Sequence, residues 1–238
     1  GTECAAGYYC TLGSPSVTPN DANCDPDKCD AGICPKGHYC PINTDYPILC
    51  EEGTFMNSTG ADACATCPGG YYCDGVYTKT YFECPQGSFC PAGTGTSQPT
   101  CPKGTYGASA GLKSSGECTT CPSGEYCGSR GLTQTSGACS EGFYCPAGSQ
   151  NDKGGNGTID KRDCPVGAFC VGGVGSPEWC PAGTFNPRTG ITSRSNCTLC
   201  TDGSYCATAG LAAVTGPCSA GYFCRRGVES STPSTGQY

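Results

Sequence analysis

The chain has 238 residues and a formal net charge of −7, and it carries 26 Cys, 38 Gly and 19 Pro beside one Met and one Trp. Cysteine at that density marks a disulfide scaffold, which persists only outside the reducing cytosol and so points to an extracellular or luminal compartment. The acidic balance with no basic stripe excludes nucleic acid as a partner, and with no apolar run of about 20 residues nothing here spans a membrane.

The even cysteine count allows every thiol to pair. No apolar spacing of i, i+3, i+4, i+7 runs long enough for an amphipathic helix. Burial at about 25 cal/mol per Å² falls short of the roughly 1–2 kcal/mol per residue that backbone ordering costs when large apolar side chains are this few. Cross-links, typically worth about 2–4 kcal/mol each, must therefore supply much of the stability. The chain opens at Gly1 just ahead of a motif, so a secretion leader is expected upstream.

Along the chain one pattern recurs, as internal repeats do. Cys-x-x-Gly-x-[Tyr/Phe] starts at Cys4, Cys34, Cys50, Cys67, Cys84, Cys101, Cys121, Cys139, Cys164, Cys180, Cys200 and Cys218. Nine copies close with a Cys directly after the aromatic, at Cys10, Cys40, Cys73, Cys90, Cys127, Cys145, Cys170, Cys206 and Cys224. The copies at Cys50, Cys101 and Cys180 lack that residue; their next cysteines are Cys64, Cys118 and Cys197, each followed by a Cys-x-x-Cys step. Two spacings are long. One, near the N-terminus, holds Cys24 and Cys29. The other holds Gly154-Gly155-Asn156-Gly157, which reads as a flexible, glycan-bearing insertion.

Each consensus position has a physical reason. The Gly permits a positive φ or a close backbone approach where the chain turns. The aromatic two residues on can lie over a disulfide or the next unit's backbone. Pro after the first Cys fixes φ and removes a donor. The fold class read from this is small disulfide-rich repeats with short β-hairpins and loops, almost no helix, stacked as an elongated tandem rod. A larger period divides the chain into irregular repeats over 1–49 and modules over 50–100, 101–179 and 180–238. The 101–179 module carries the extra Cys164–Cys170 unit and the Gly-rich insertion, and the last begins a further repeat.

The spacing pairs Cys50 with Cys64, Cys101 with Cys118 and Cys180 with Cys197. For the remaining cysteines two schemes stay open. Each Cys-x5-Cys motif closes on itself, with Cys24–Cys29 as a further bond, or adjacent motifs cross.

The order Cys-x-x-Gly-Thr-[Phe/Tyr]…Cys-x2-Cys-Pro-x-Gly-x-Tyr-Cys resembles ephrin-receptor-like repeats and is similar to tumour-necrosis-factor-receptor cysteine-rich domains over nearly all of 34–224. That resemblance implies the crossed scheme, with Cys67–Cys84 and Cys73–Cys90 beside Cys50–Cys64. Five residues between the third and fourth cysteines, and the odd Cys164–Cys170 unit, depart from the receptor pattern. Uninterrupted strings of such motifs resemble the large surface proteins of algae, ciliates and other protists, flagellar-hair (mastigoneme) components among them. No ligand-contact residue carries over.

Chemistry is sparse. Zinc would use the Cys64–Cys67, Cys118–Cys121 and Cys197–Cys200 steps, but a zinc site wants four ligands, often with His, and His38 is the only histidine. Catalysis needs a positioned base, and His38 stands at a freely varying repeat position. The acids Asp21, Asp25, Asp27 and Asp30 lack the order of a calcium loop. Neither enzyme activity nor any cofactor or metal is expected. Sequons mark Asn57, Asn156 and Asn196 as N-glycosylation acceptors, with Asn196 complicated by Cys197 inside its sequon. Ser/Thr/Pro clusters over 14–19, 96–100 and 230–235 read as exposed loops or O-glycan carriers. The expected function is a structural component of an extracellular filament, flagellar hair or surface coat. Its partners would be other copies or subunits, with covalent glycans attached. The alternative is a receptor or adhesin ectodomain, for which the irregular 11–34 stretch would be the place to look.

Overall fold

The computed structural model describes residues 4–10, 16–19, 31–75 and 79–234. The expected Cys24–Cys29 bond, the acids Asp21 to Asp30 and most of 11–34 lie outside them. The described residues form a small disulfide-rich, hairpin-based fold with no α-helix. They fall into two compact units, one of residues 1–101 with 107–118, the other of 102–106 with 119–238.

In every copy the repeat motif is a β-turn. The amide two residues before the closing position donates to the carbonyl just after the first Cys, as in His38 N–H to Pro35 O (3.2 Å) and Glu125 N–H to Pro122 O (3.2 Å). The Gly between them has φ near +80°, for example 84° at Gly37 and 91° at Gly124. That is the third-residue geometry of a type II turn, which a side chain would strain.

The turn launches a short strand whose second residue is the consensus aromatic, and this pairs antiparallel with the residues just before the next repeat. In the first unit the hairpins are β1 Tyr8–Cys10 with β2 Ala31–Ile33 and β3 His38–Tyr39 with β4 Ile48–Leu49. Next come β5 Thr54–Phe55 with β6 Ala65–Thr66 and β7 Tyr71–Tyr72 with β8 Phe82–Glu83. In the second unit β9 Thr105–Tyr106 pairs with β10 Thr119–Thr120, and β11 Glu125–Tyr126 with β12 Gly137–Ala138. They are followed by β13 Ala168–Phe169 with β14 Glu178–Trp179, β15 Thr184–Phe185 with β16 Thr198–Leu199, and β17 Ser204–Tyr205 with β18 Gly216–Pro217. Single bridges, Ser88 to Thr100 and Phe143 to Asp163, replace the hairpin in the two remaining internal repeats. Two-residue strands cannot hold themselves together; the half-cystines at their ends must.

Backbone hydrogen bonds join each repeat to the next. The first-Cys amide donates to the preceding repeat's Gly carbonyl. In the first unit the donors are Cys34, Cys50, Cys67, Cys84 and Cys101, and the acceptors Gly7, Gly37, Gly53, Gly70 and Gly87. In the second unit Cys121, Cys139, Cys164, Cys180, Cys200 and Cys218 donate to Gly104, Gly124, Gly142, Gly167, Gly183 and Gly203. The same Gly returns its own amide to the closing-position carbonyl of the following repeat, as in Gly53 to Cys73 and Gly124 to Cys145. Where no closing Cys exists, Met56, Gly107 or Asn186 supplies that carbonyl. The ladder is main-chain, which is why side chains between the consensus positions can vary.

The buried set consists mostly of half-cystines, with Tyr9, Ala168, Phe169, Ile191 and Val228 among the few other apolar members. Twelve disulfides occupy all the described cysteines. Each Cys-x5-Cys motif closes on itself with Cα–Cα of 5.8–6.0 Å. The longer loops are Cys50–Cys64, Cys101–Cys118 and Cys180–Cys197.

The crossed pairing implied by the receptor resemblance is therefore corrected. Cys67 bonds Cys73 and Cys84 bonds Cys90, because the type II turn already brings the two ends of each motif within bonding reach. The aromatic packs on the next repeat's half-cystines, as expected: Tyr9 on Cys34 and Cys40, Tyr144 on Cys164 and Cys170, Phe169 on Cys180 and Cys197. In three hairpins the ring also lies over the Gly opposite it, Gly32 for Tyr9, Gly137 for Tyr126 and Gly216 for Tyr205. Tyr72 meets Phe82 opposite it (centroids 5.5 Å apart), and Phe55 reaches Tyr81 of the next repeat edge-on at 5.0 Å.

Candidate functional site

The cysteines are structural. Cys64 and Cys67 bond to Cys50 and Cys73, Cys118 and Cys121 to Cys101 and Cys127, Cys197 and Cys200 to Cys180 and Cys206. No thiolate from those steps is left to ligate a metal, and no group of three or more His, Cys, Asp or Glu able to hold one exists among the described residues. His38 sits half-buried in β3, its Nδ1 3.3 Å from the Lys36 carbonyl. No helix among the described residues is long and apolar enough to cross a membrane.

One carboxylate is perturbed. The Thr96 hydroxyl and then the Thr96 amide donate to Glu52, holding its pKa below the ordinary value, because both hydrogen bonds favour the charged form. A Cβ on Gly95 would run into the Glu52 side chain, so Gly95 makes room for a contact that spans two repeats.

The three sequons differ in setting. Asn57-Ser58-Thr59 is exposed throughout, on the loop after β5. Asn156 is exposed at the tip of the insertion, with its Oδ1 accepting from the Thr158 and Ile159 amides at 3.2 and 3.0 Å. Asn196 ends the 3-10 turn Arg194–Asn196, accepts from the Ser193 hydroxyl at 2.8 Å, and precedes the bonded Cys197 and strand residue Thr198.

The insertion is a closed hairpin. Gly154 bridges Lys161, Arg162 N–H donates to the Lys153 carbonyl at 2.7 Å, and Asn156 N–H to the Ile159 carbonyl at 3.0 Å. The Asn151 amide clamps it, donating to the Asp160 carbonyl and accepting from the Lys153 and Gly155 amides. Asp152 accepts from the Ser140 hydroxyl at 2.7 Å. Between this hairpin and the β11–β12 hairpin lies an open cleft of about 430 Å³, lined among others by Tyr126, Gln150, Asp160 and Lys103.

Sequence reasoning missed three features. A second positive-φ residue in nine of the repeats, such as Gly93 or Gly148 and once Asn43, donates its amide back to a first-Cys carbonyl of the preceding repeat. Its signal was available, since Cys90-Pro91-Ala92-Gly93 and Cys145-Pro146-Ala147-Gly148 copy the first turn. Hydroxyls after both turns (Thr94, Ser149, Thr105, Thr184) donate back to the carbonyls of Pro91, Pro146, Pro102 and Pro181 at 2.6–2.7 Å. The cleft, made by residues far apart in sequence, had no such signal.

No protein-family model matches the chain, and no curated protein matches it.

Proposed function

We propose that this chain is a structural component of an extracellular filament, flagellar hair or surface coat, glycosylated and assembled with other copies or subunits. The observation that supports the reading is how completely the repeat consensus is consumed by scaffold. Each first Cys gives its thiol to a bond, those from Cys34 onward give their amides to the ladder, each consensus Gly takes the turn, and aromatics such as Tyr9, Tyr144 and Phe169 pack on the next repeat's half-cystines. Little of the repeated chemistry remains for catalysis. The role is mechanical: covalent loops at short intervals resist unfolding outside the cell, where no reductant breaks them.

The test is imaging of the native source with an antibody to the chain. Filaments or a coat carrying the label support the reading, and a dispersed monomer in native extract overturns it. Intact mass before and after glycosidase treatment is expected to fall by one or two N-glycans, placed at Asn57 and Asn156 by peptide mapping.

A further inference from the structure

The insertion at 150–163 is the part of the second unit that the repeat ladder does not need. Cys164 N–H still reaches the Gly142 carbonyl at 2.9 Å across it, and Gly142 N–H still reaches the Cys170 carbonyl at 3.0 Å. Yet the segment is folded with its own bridge, an Asn151 clamp and an Asn156 turn. What it builds is one wall of the cleft, facing the consensus aromatic Tyr126.

The lining has a recognisable chemistry. Tyr126 presents a half-buried ring, and Gly128 beside it keeps the ring uncovered, since a Cβ there would lie 3.3 Å from its Cε2. Around the ring stand an amide (Gln150), a carboxylate (Asp160) and an ammonium (Lys103). No hydrogen bond or ion pair joins any of these three side chains to a described residue, whereas Asn151 and Asp152 beside them are engaged in holding the insertion. A flat apolar face ringed by donors and acceptors of both kinds suits a ligand with a C–H face and equatorial hydroxyls. The volume holds one or two pyranose rings and is too open for a compact ion or an apolar ligand, which want enclosure.

We propose that this cleft binds a neutral saccharide, one pyranose face against Tyr126 and its hydroxyls on Gln150, Asp160 and Lys103. The inference does not depend on the filament reading. Two sources of that sugar share the chemistry: an N-glycan on the chain itself, for Gly157 of the Asn156 sequon lines the same cleft, or a glycan of a neighbouring molecule.

The experiment is NMR titration of the full oxidised chain carrying Asn156→Gln, with chitobiose, mannobiose and cellobiose as probes and inorganic phosphate as control. Saturable shifts at the Gly128 and Gly157 amides are expected with at least one disaccharide and not with phosphate. Tyr126→Phe should retain binding, and Tyr126→Ala should weaken it about tenfold, as loss of an aromatic stack does. Should Tyr126→Ala fail to fold, the rim variants Gln150→Ala and Asp160→Asn give the same readout. Absence of shifts with every disaccharide, or binding by the Tyr126→Ala and rim variants as tight as with the cleft unsubstituted, overturns the proposal. If binding holds, glycosylated chain with Asn156 intact distinguishes the sources: protection of the cleft from added sugar assigns it to the chain's own glycan, and continued binding to a neighbour's.

Discussion

A Cβ added to Gly104 would lie 2.6 Å from the carbonyl oxygen of Gly148, two repeats further on. Backbone touches backbone there, so the consensus Gly serves twice: it takes the left-handed turn position, with φ of 82°, and it leaves no atom between repeats. Gly70 with Gly111 and Gly142 with Gly190 repeat the relation at 2.6 and 2.7 Å. Gly203 has the same positive φ (79°) and nothing within 4 Å of its would-be Cβ.

That contrast separates strain from collision. Gly203→Ala should cost about 1 kcal/mol, the strain of a side chain at positive φ. Gly104→Ala adds a clash with main chain that cannot move alone, and should cost about 3 kcal/mol. Denaturant unfolding with all disulfides intact compares the two, and equal losses would mean that the repeat contact carries no energy.

Loop length orders the disulfides. In the chain-entropy account, a Cys-x5-Cys bond such as Cys67–Cys73, with a sequence separation of 6, stabilises by about 2.4 kcal/mol. The separation of 17 at Cys101–Cys118 gives about 3.2 kcal/mol. Paired Cys→Ala variants should follow that order in thermal unfolding. Peptide mapping without reduction should recover Cys67–Cys73 and Cys84–Cys90 and no peptide joining the two motifs.

Asn186 fills the place of a missing half-cystine. It is 1% exposed, donates to the Ala168 and Arg188 carbonyls at 3.1 and 2.7 Å, and accepts from the Arg188 amide at 3.0 Å. Asn186→Ala strands buried backbone groups and should cost about 1–3 kcal/mol. Asn186→Asp keeps the acceptor but loses both donated bonds, and should be no better tolerated. Stability of the two variants by denaturant titration checks this.

The Glu52–Thr96 contact should be pH-dependent in a defined direction. The folded pKa lies below the ordinary 4.5 because the carboxylate is the hydrogen-bonded form. Its contribution is therefore complete above that value and is lost as pH falls through the folded pKa. Glu52 is fully exposed, so the effect is local. The Thr96 amide resonance should titrate below pH 4.5 in the native chain and stay flat in Glu52→Gln. A flat native profile would show that the contact does not persist in solution.

Much of this was legible in the residues alone. Cys at one offset, Gly three further and an aromatic two beyond that left few structures other than a turn closed by sulfur, because no aliphatic core was present to compete. The repeat period, the near absence of helix and the three longer loops all follow from spacing along the chain. Which half-cystine meets which did not follow, because one and the same run of cysteines admits both self-closed and crossed bonds; only the type II turn, which sets Cys67 and Cys73 6.0 Å apart and Cys121 and Cys127 5.9 Å apart, decides it. The Gly104–Gly148 contact and the cleft between Tyr126 and the insertion likewise belong to the folded chain alone. They join residues from different repeats, and local propensity carries no information about such distances.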